Sequence, residues 1–272
     1  MAGHRQEFDR ELEALEAKVI EAFAMIGKDL PEASQALLSG DTGVLNVLAE
    51  REQVIEALYS QIEELATREI LLQSPVAFDL RFLLSVLRIV PDLDRSHHLV
   101  VDIAARASRV LSEGLSPGSR GLTERMGSLA SDMWRRVADS WYLRDGTAAA
   151  WLRDRDDEMD ELYASLTAEL ASGRMALPVT MEMTLVARFY ERLGDHAISI
   201  AHRVIYLAGS ARALSREPVE RCGQSTGCQR WNVAPWSSTQ PASSPNGLCS
   251  GSSAWPPAAR TRSTAAAMSS TR

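Results

Sequence analysis

The chain has 272 residues, 45% hydrophobic and 24% charged with 6% aromatics, and a formal net charge of −7. Six Arg and two Glu lie beyond Ser215, so the first 215 residues hold 23 basic and 34 acidic side chains and carry −11. An acidic body of this kind offers no electrostatic footprint for a phosphate backbone, which excludes nucleic acid as the expected partner and points to cations or basic protein surfaces.

No run of about 20 apolar residues is present, and the opening MAGHRQEFDRELEALE is too charged for a secretory signal. A cytoplasmic protein without membrane insertion is expected. Cys222, Cys228 and Cys249 all fall late in the chain, so the body has neither a disulfide framework nor a paired-cysteine zinc motif.

Abundant Ala, Leu, Glu and Arg, with almost no β-branched alternation, predict an all-α protein. The first helix is expected over 6–38, with Leu12, Leu15, Val19, Ala22, Phe23 and Ile26 at helical spacing and a kink at Pro31. Ser39, Gly40 and Asp41 break it. The second runs over 42–72 with Ile55, Leu58, Ile62 and Leu65 as its buried stripe, and ends at Pro75, which forces the preceding residue out of helical geometry. The third covers 76–110.

The run GLSPGSRG at 114–121 reads as a loop between two halves. Helices are then predicted over 123–143, 147–170 and 179–208. The halves also resemble each other: EALYSQIEEL at 56–65 matches DELYASLTAEL at 160–170, and DLDRSHHLVVDIA at 92–104 matches YERLGDHAISIA at 190–201. The expected architecture is two tandem pseudo-symmetric three-helix bundles made of six long helices. The first repeat is assigned to 1–113 and the second to 122–212. Residues 216–272, with six of the eleven prolines and three of the six Trp, are expected to be a disordered low-complexity tail, or the product of a shifted reading frame.

Pairs of acids four residues apart carry the functional signal. Such residues share one helix face, where like charges repel by about 0.2–0.5 kcal/mol, so a doubled arrangement calls for a compensating cation. In the second half Asp156 and Asp160 stand on one helix and Glu191 and Asp195 on the next. Consecutive helices joined by a short turn run antiparallel, and counting outward from the turn places the two pairs side by side. In the first half the same counting pairs Glu52 and Glu56 with Asp94 and His98. At about 100° per residue, an acid two positions before a core leucine faces outward, as Glu56, Asp160 and Glu191 do. Carboxylates from two helices suit Mg²⁺, Ca²⁺ or Mn²⁺, and a mixture with imidazole also suits Fe or Zn. His98 makes the first site the weaker of the two. His97 is a further candidate there.

Residues 71–95, LLQSPVAFDLRFLLSVLRIVPDLDR, and 185–208, LVARFYERLGDHAISIAHRVIYLA, together resemble the paired signatures of the PhoU family, with Arg and Ala usage similar to its actinobacterial branch. The resemblance spans about residues 6–210. It implies two pseudo-symmetric three-helix bundles, often dimeric, with multinuclear metal clusters (Fe, Zn, Mn or Mg) on acidic motifs that map to Glu52 and Glu56, Asp156 and Asp160, and Glu191 and Asp195. The chain departs from the family at 94–98, where the pattern has a glycine and an aspartate. The resemblance further implies a cytoplasmic negative regulator of the phosphate-starvation response, acting between phosphate ABC transporter subunits and a phosphate-sensing histidine kinase.

Two other readings compete. A carboxylate-rich metalloenzyme of the di-iron type needs inward-facing Glu-x-x-His motifs, which are absent, as are a nucleophile elbow and a phosphate-binding glycine loop. A metal-free acidic scaffold fits the composition. The expectation is therefore a regulator without catalytic residues.

Overall fold

The computed structural model describes residues 2–108 and 114–214, with side chains over 5–108 and 114–209. Among the described residues there are six long α-helices: α1, Ala2–Ser39; α2, Gly43–Gln73; α3, Ala77–Ala105; α4, Pro117–Leu143; α5, Ala148–Ala171; and α6, Leu177–Leu214. The all-α expectation holds. The sequence assigned to the low-complexity tail, 216–272, lies outside the described residues.

Boundaries agree to within about two residues except that α1 begins at Ala2 rather than near Gln6, α6 runs on to Leu214 rather than ending near Ala208, and the end of α3 and the start of α4 shift. The third helix ends at Ala105 and tightens into a 3-10 turn, Arg106–Ser108, whereas periodicity extended it to Val110. The glycine- and serine-rich run expected to be a loop is half helical, because Ser116 caps α4 and Pro117 occupies its first position. Proline there lacks a donor that the helix would leave unused anyway. Ser116 Oγ accepts from the Ser119 N–H at 3.0 Å and donates to Glu169 Oε1 at 3.0 Å, tying the start of α4 to α5. Ser116→Ala is expected to cost about 1 kcal/mol, read as a lower midpoint in urea unfolding with an unchanged slope. At Pro31 the helix continues without interruption.

Helices α1, α2 and α3 pack on one another, as do α4, α5 and α6. The two bundles then join along two seams, α3 on α6 and α1 on α4. Both seams are antiparallel. Arg144 reaches Glu16 at 2.6 Å while Arg120 reaches the Leu38 carbonyl at 2.9 Å, and Arg81 stacks on Tyr206 while Arg106 meets Glu182 at 3.4 Å.

The stripe Leu15, Val19, Ala22, Phe23, Ile26, Leu30, Ala33 and Leu37 is buried along α1 and merges with those of the other helices into one hydrophobic core spanning both halves. Trp134 and Trp141 of α4 lie 6.3 and 6.2 Å from the Phe23 ring of α1, and Phe82 of α3 lies 6.3 Å from Trp141. Gly127 lets the seam close, since a Cβ there would stand 2.9 Å from Ser34 Oγ. Tyr190 donates to that same Ser34 hydroxyl at 2.9 Å. No helix among the described residues is long and apolar enough to cross a membrane.

Candidate metal centre

Burial of Ile55 and Leu58 fixes the rotation of α2, and burial of Leu93 and Val100 fixes that of α3. Glu52 and Glu56 consequently project toward His98, and one ligand atom from each of the three lies within 4.8 Å of the others. Glu52 Oε1 is 3.6 Å from His98 Nε2. The Asp94 backbone carbonyl lies 2.9 Å from His98 Nδ1. A carbonyl only accepts, so Nδ1 carries the proton and Nε2 faces Glu52. The Asp94 carboxylate stands behind the ring, 3.7 Å from Nδ1.

In the second half the four expected acids face one another across α5 and α6. Burial pushes the Asp156 carboxyl up to about 6, aided by Asp160, Asp195, Asp157 and Glu191. Glu191 is also raised, by burial first and then by Asp195, although Arg188 opposes this. Its Oε1 takes a hydrogen bond from Arg188, while its Oε2 is buried without a partner. Asp160 is exposed, and Arg192 lies 3.6 Å from the half-exposed Asp195. Gly194 matters here, because a Cβ at that position would stand 3.0 Å from Asp156 Oδ1.

The expected outward orientation applies to Glu56, Asp160 and His98, but Asp156 and Glu191 are partly covered. Among the described residues, the second half has no set of three ligand atoms as close as Glu52, Glu56 and His98.

Several polar residues of this region escaped the sequence reading. Asp29 of α1 is 0% exposed and pairs with Arg51, and burial raises its carboxyl despite that guanidinium. Its signal was its position on the buried stripe, three residues after Ile26 and four before Ala33. Between the halves, Ser96 Oγ bonds His196 Nδ1 at 2.8 Å, and Ser199 donates to Asp92 at 2.7 Å. His97, read as a candidate ligand, is 1% exposed with both ring nitrogens unpartnered, and burial lowers it to about 4.

A family model described as the PhoU domain matches residues 19–107 and again 123–204. The chain belongs to the PhoU family. It is 31% identical over 210 residues to the phosphate-specific transport system accessory protein PhoU homolog 2 of Mycobacterium tuberculosis, covering 76% of this chain and 99% of that one. The mycobacterial similarity agrees with the actinobacterial character of its composition. The crystal structure of PhoU from Pseudomonas aeruginosa superposes with a TM-score of 0.70 at 28% identity over 76% of this chain and 99% of that one. The PhoU structure from Streptococcus pneumoniae gives 0.67 at 25% identity, over 74% and 96%.

Within this PhoU-family fold the two halves align Asp94 and His98 with Glu191 and Asp195, so His97 stands where the second half has Gly194. The bare backbone at Gly194 admits the Asp156 carboxylate. At His97 an imidazole fills that place in the chain and is buried instead. Both donor sets fit the cations that the family implies. The first gathers two carboxylates and an imidazole lone pair, and the second leaves a buried carboxylate oxygen unpartnered amid mutually repelling acids.

Proposed function

We propose that this chain is a cytoplasmic accessory regulator of phosphate transport and a negative regulator of the phosphate-starvation response. The observation that carries the reading is its match over 99% of the length of the mycobacterial transport-system accessory protein. Docking is the mode of action, as a homodimer that touches phosphate ABC transporter subunits and a phosphate-sensing histidine kinase. The acidic surface of the bundles suits basic partner surfaces. No step of this reading is catalytic.

Asp156, Asp160, Glu191 and Asp195, and in the first half Glu52, Glu56 and His98, would hold the metal, with Asp94 orienting His98. When bound, a cation supplies the positive charge that offsets the repulsion among these acids. The chain's own part is to hold α5 beside α6, and α2 beside α3, at the spacing that brings the carboxylates together. That spacing sets the surface a partner meets.

Expression of this chain in a bacterium lacking its own PhoU should restore repression of the high-affinity phosphate transporter in phosphate-rich medium. Unrepressed transporter expression, with the protein folded and abundant, would overturn the regulatory reading. For the metal, protein purified without chelators should carry stoichiometric Fe, Zn, Mn or Mg by elemental analysis. The doubly substituted Glu191→Ala, Asp195→Ala protein should lose the second-half share while keeping its helical circular dichroism. Unchanged metal in that variant would remove these residues from the site.

A further inference from the structure

The two pseudo-equivalent sites differ in the chemistry of one position. Where Asp195 presents a carboxylate, His98 presents an imidazole, and the Asp94 carbonyl fixes the protonation of that ring at Nδ1. Nε2 is thereby turned toward the Glu52 carboxylate, 3.6 Å from its Oε1. A cation between them would take a carboxylate oxygen and an imidazole nitrogen as ligands. Ligand bonds of about 2.0–2.2 Å around a tetrahedral Zn²⁺ separate neighbouring ligands by about 3.3–3.5 Å, close to the spacing found. Glu56 completes three protein ligands, and the exposure of Glu56 and His98 leaves the remaining position open to water. The His98 tautomer is held from behind by a backbone carbonyl, the usual arrangement for a metal-binding histidine. Beside it, 6.2 Å from ring centre to ring centre, His97 keeps two unused nitrogens in the interior.

The second site contains oxygen donors alone. Its carboxylates are set around Gly194, and the adjacent guanidinium groups of Arg188 and Arg192 already engage Glu191 and Asp195. Such a set favours hard cations, whereas imidazole raises the preference for Zn²⁺ over Mn²⁺.

We propose that the two sites are built for different cations: Glu52, Glu56 and His98 for Zn²⁺, and Asp156, Asp160, Glu191 and Asp195 for a hard cation such as Mn²⁺ or Mg²⁺. This rests on the metal-binding part of the reading above.

The full chain, stripped with chelator and equilibrated with Zn²⁺ in a large excess of Mn²⁺, tests it by elemental analysis after removal of free metal. Wild type should retain both metals. His98→Asp should lower the retained Zn²⁺ by at least about 10-fold and raise the retained Mn²⁺, because it makes the first site all-carboxylate like the second. Asp156→Asn should lower Mn²⁺ and leave Zn²⁺ unchanged. His98 is exposed, so its substitution should leave helical circular dichroism intact. Zn²⁺ retention undiminished in His98→Asp would overturn the assignment of the first site. Mn²⁺ bound without Zn²⁺ in wild type would overturn the inference while leaving the metal-binding reading in place. Neither metal bound would overturn both, leaving His98 as an ordinary ion-pair partner of Glu52.

Discussion

Trp134→Ala is expected to destabilise the protein by about 3–5 kcal/mol, a large fraction of the roughly 5–15 kcal/mol that holds a typical domain together. Trp134 is 1% exposed and packs on Phe23, and its indole N–H donates to the Leu193 carbonyl at 3.2 Å. It therefore touches α1 and α6 from α4, linking one bundle to the helix that carries Glu191 and Asp195. Removing it leaves a cavity on the seam and a helical carbonyl without its added donor. Urea unfolding followed by circular dichroism measures the loss. Trp134→Phe should cost less, because it keeps most of the apolar volume and gives up the hydrogen bond. A loss below 1 kcal/mol in the alanine variant would mean that the two bundles do not depend on this contact.

Asp156→Asn is expected to act in opposite directions with and without metal. In chelator, the carboxyl of Asp156 is raised from 3.8 to about 6, so the fold disfavours its charged form at neutral pH. A shift of that size corresponds to about 3 kcal/mol, which solvent screening of a partly exposed group reduces to about 1 kcal/mol. The amide removes the charge and should stabilise the metal-free protein by about that much at pH 7.5. The sign follows from linkage. A carboxyl raised in the folded state binds its proton more tightly there, so wild type gains stability as pH falls from above 6 toward 3.8, and the variant lacks this gain.

His97 runs the other way. Lowered from 6.5 to about 4 by burial, it stays neutral in the fold while the unfolded chain takes up a proton, so stability is lost as pH falls from 6.5 toward 4. His196 is lowered too, by burial first, and adds to that loss. Asp156→Asn should accordingly lose stability more steeply than wild type between pH 6.5 and 4. Added Mn²⁺ should raise the melting temperature of wild type and not that of the variant. Parallel pH profiles would show that Asp156 is not charged against its surroundings at neutral pH, and equal metal shifts would remove it from the site.

Helix count, helix order and the pairing of acids were legible in the chain because each depends on local rules. Apolar spacing of three and four residues determines which face of α1 or α2 is buried, and a short turn obliges the next helix to return antiparallel. Those two rules suffice to bring Glu52 and Glu56 opposite residues 94 and 98. The start of α4 was misplaced because Ser, Pro and Gly, counted as loop formers, also make a helix cap when a proline follows a serine at the first turn. The end of α3 was overextended because periodicity does not register where an α-helix tightens into a 3-10 turn.

The acidic surface, the helical class and the duplicated acid motif are therefore properties of the sequence itself, since composition and spacing at distances of three and four residues encode them. Which donors converge was decided by tertiary structure. The closeness of Glu52, Glu56 and His98, the burial of Asp156 beside Gly194 and the Ser96 to His196 bond across the halves all depend on how neighbouring helices rotate and approach. That approach is set by side-chain volume across the seams, at Gly127, Trp134 and Trp141, through contacts between residues far apart in the chain.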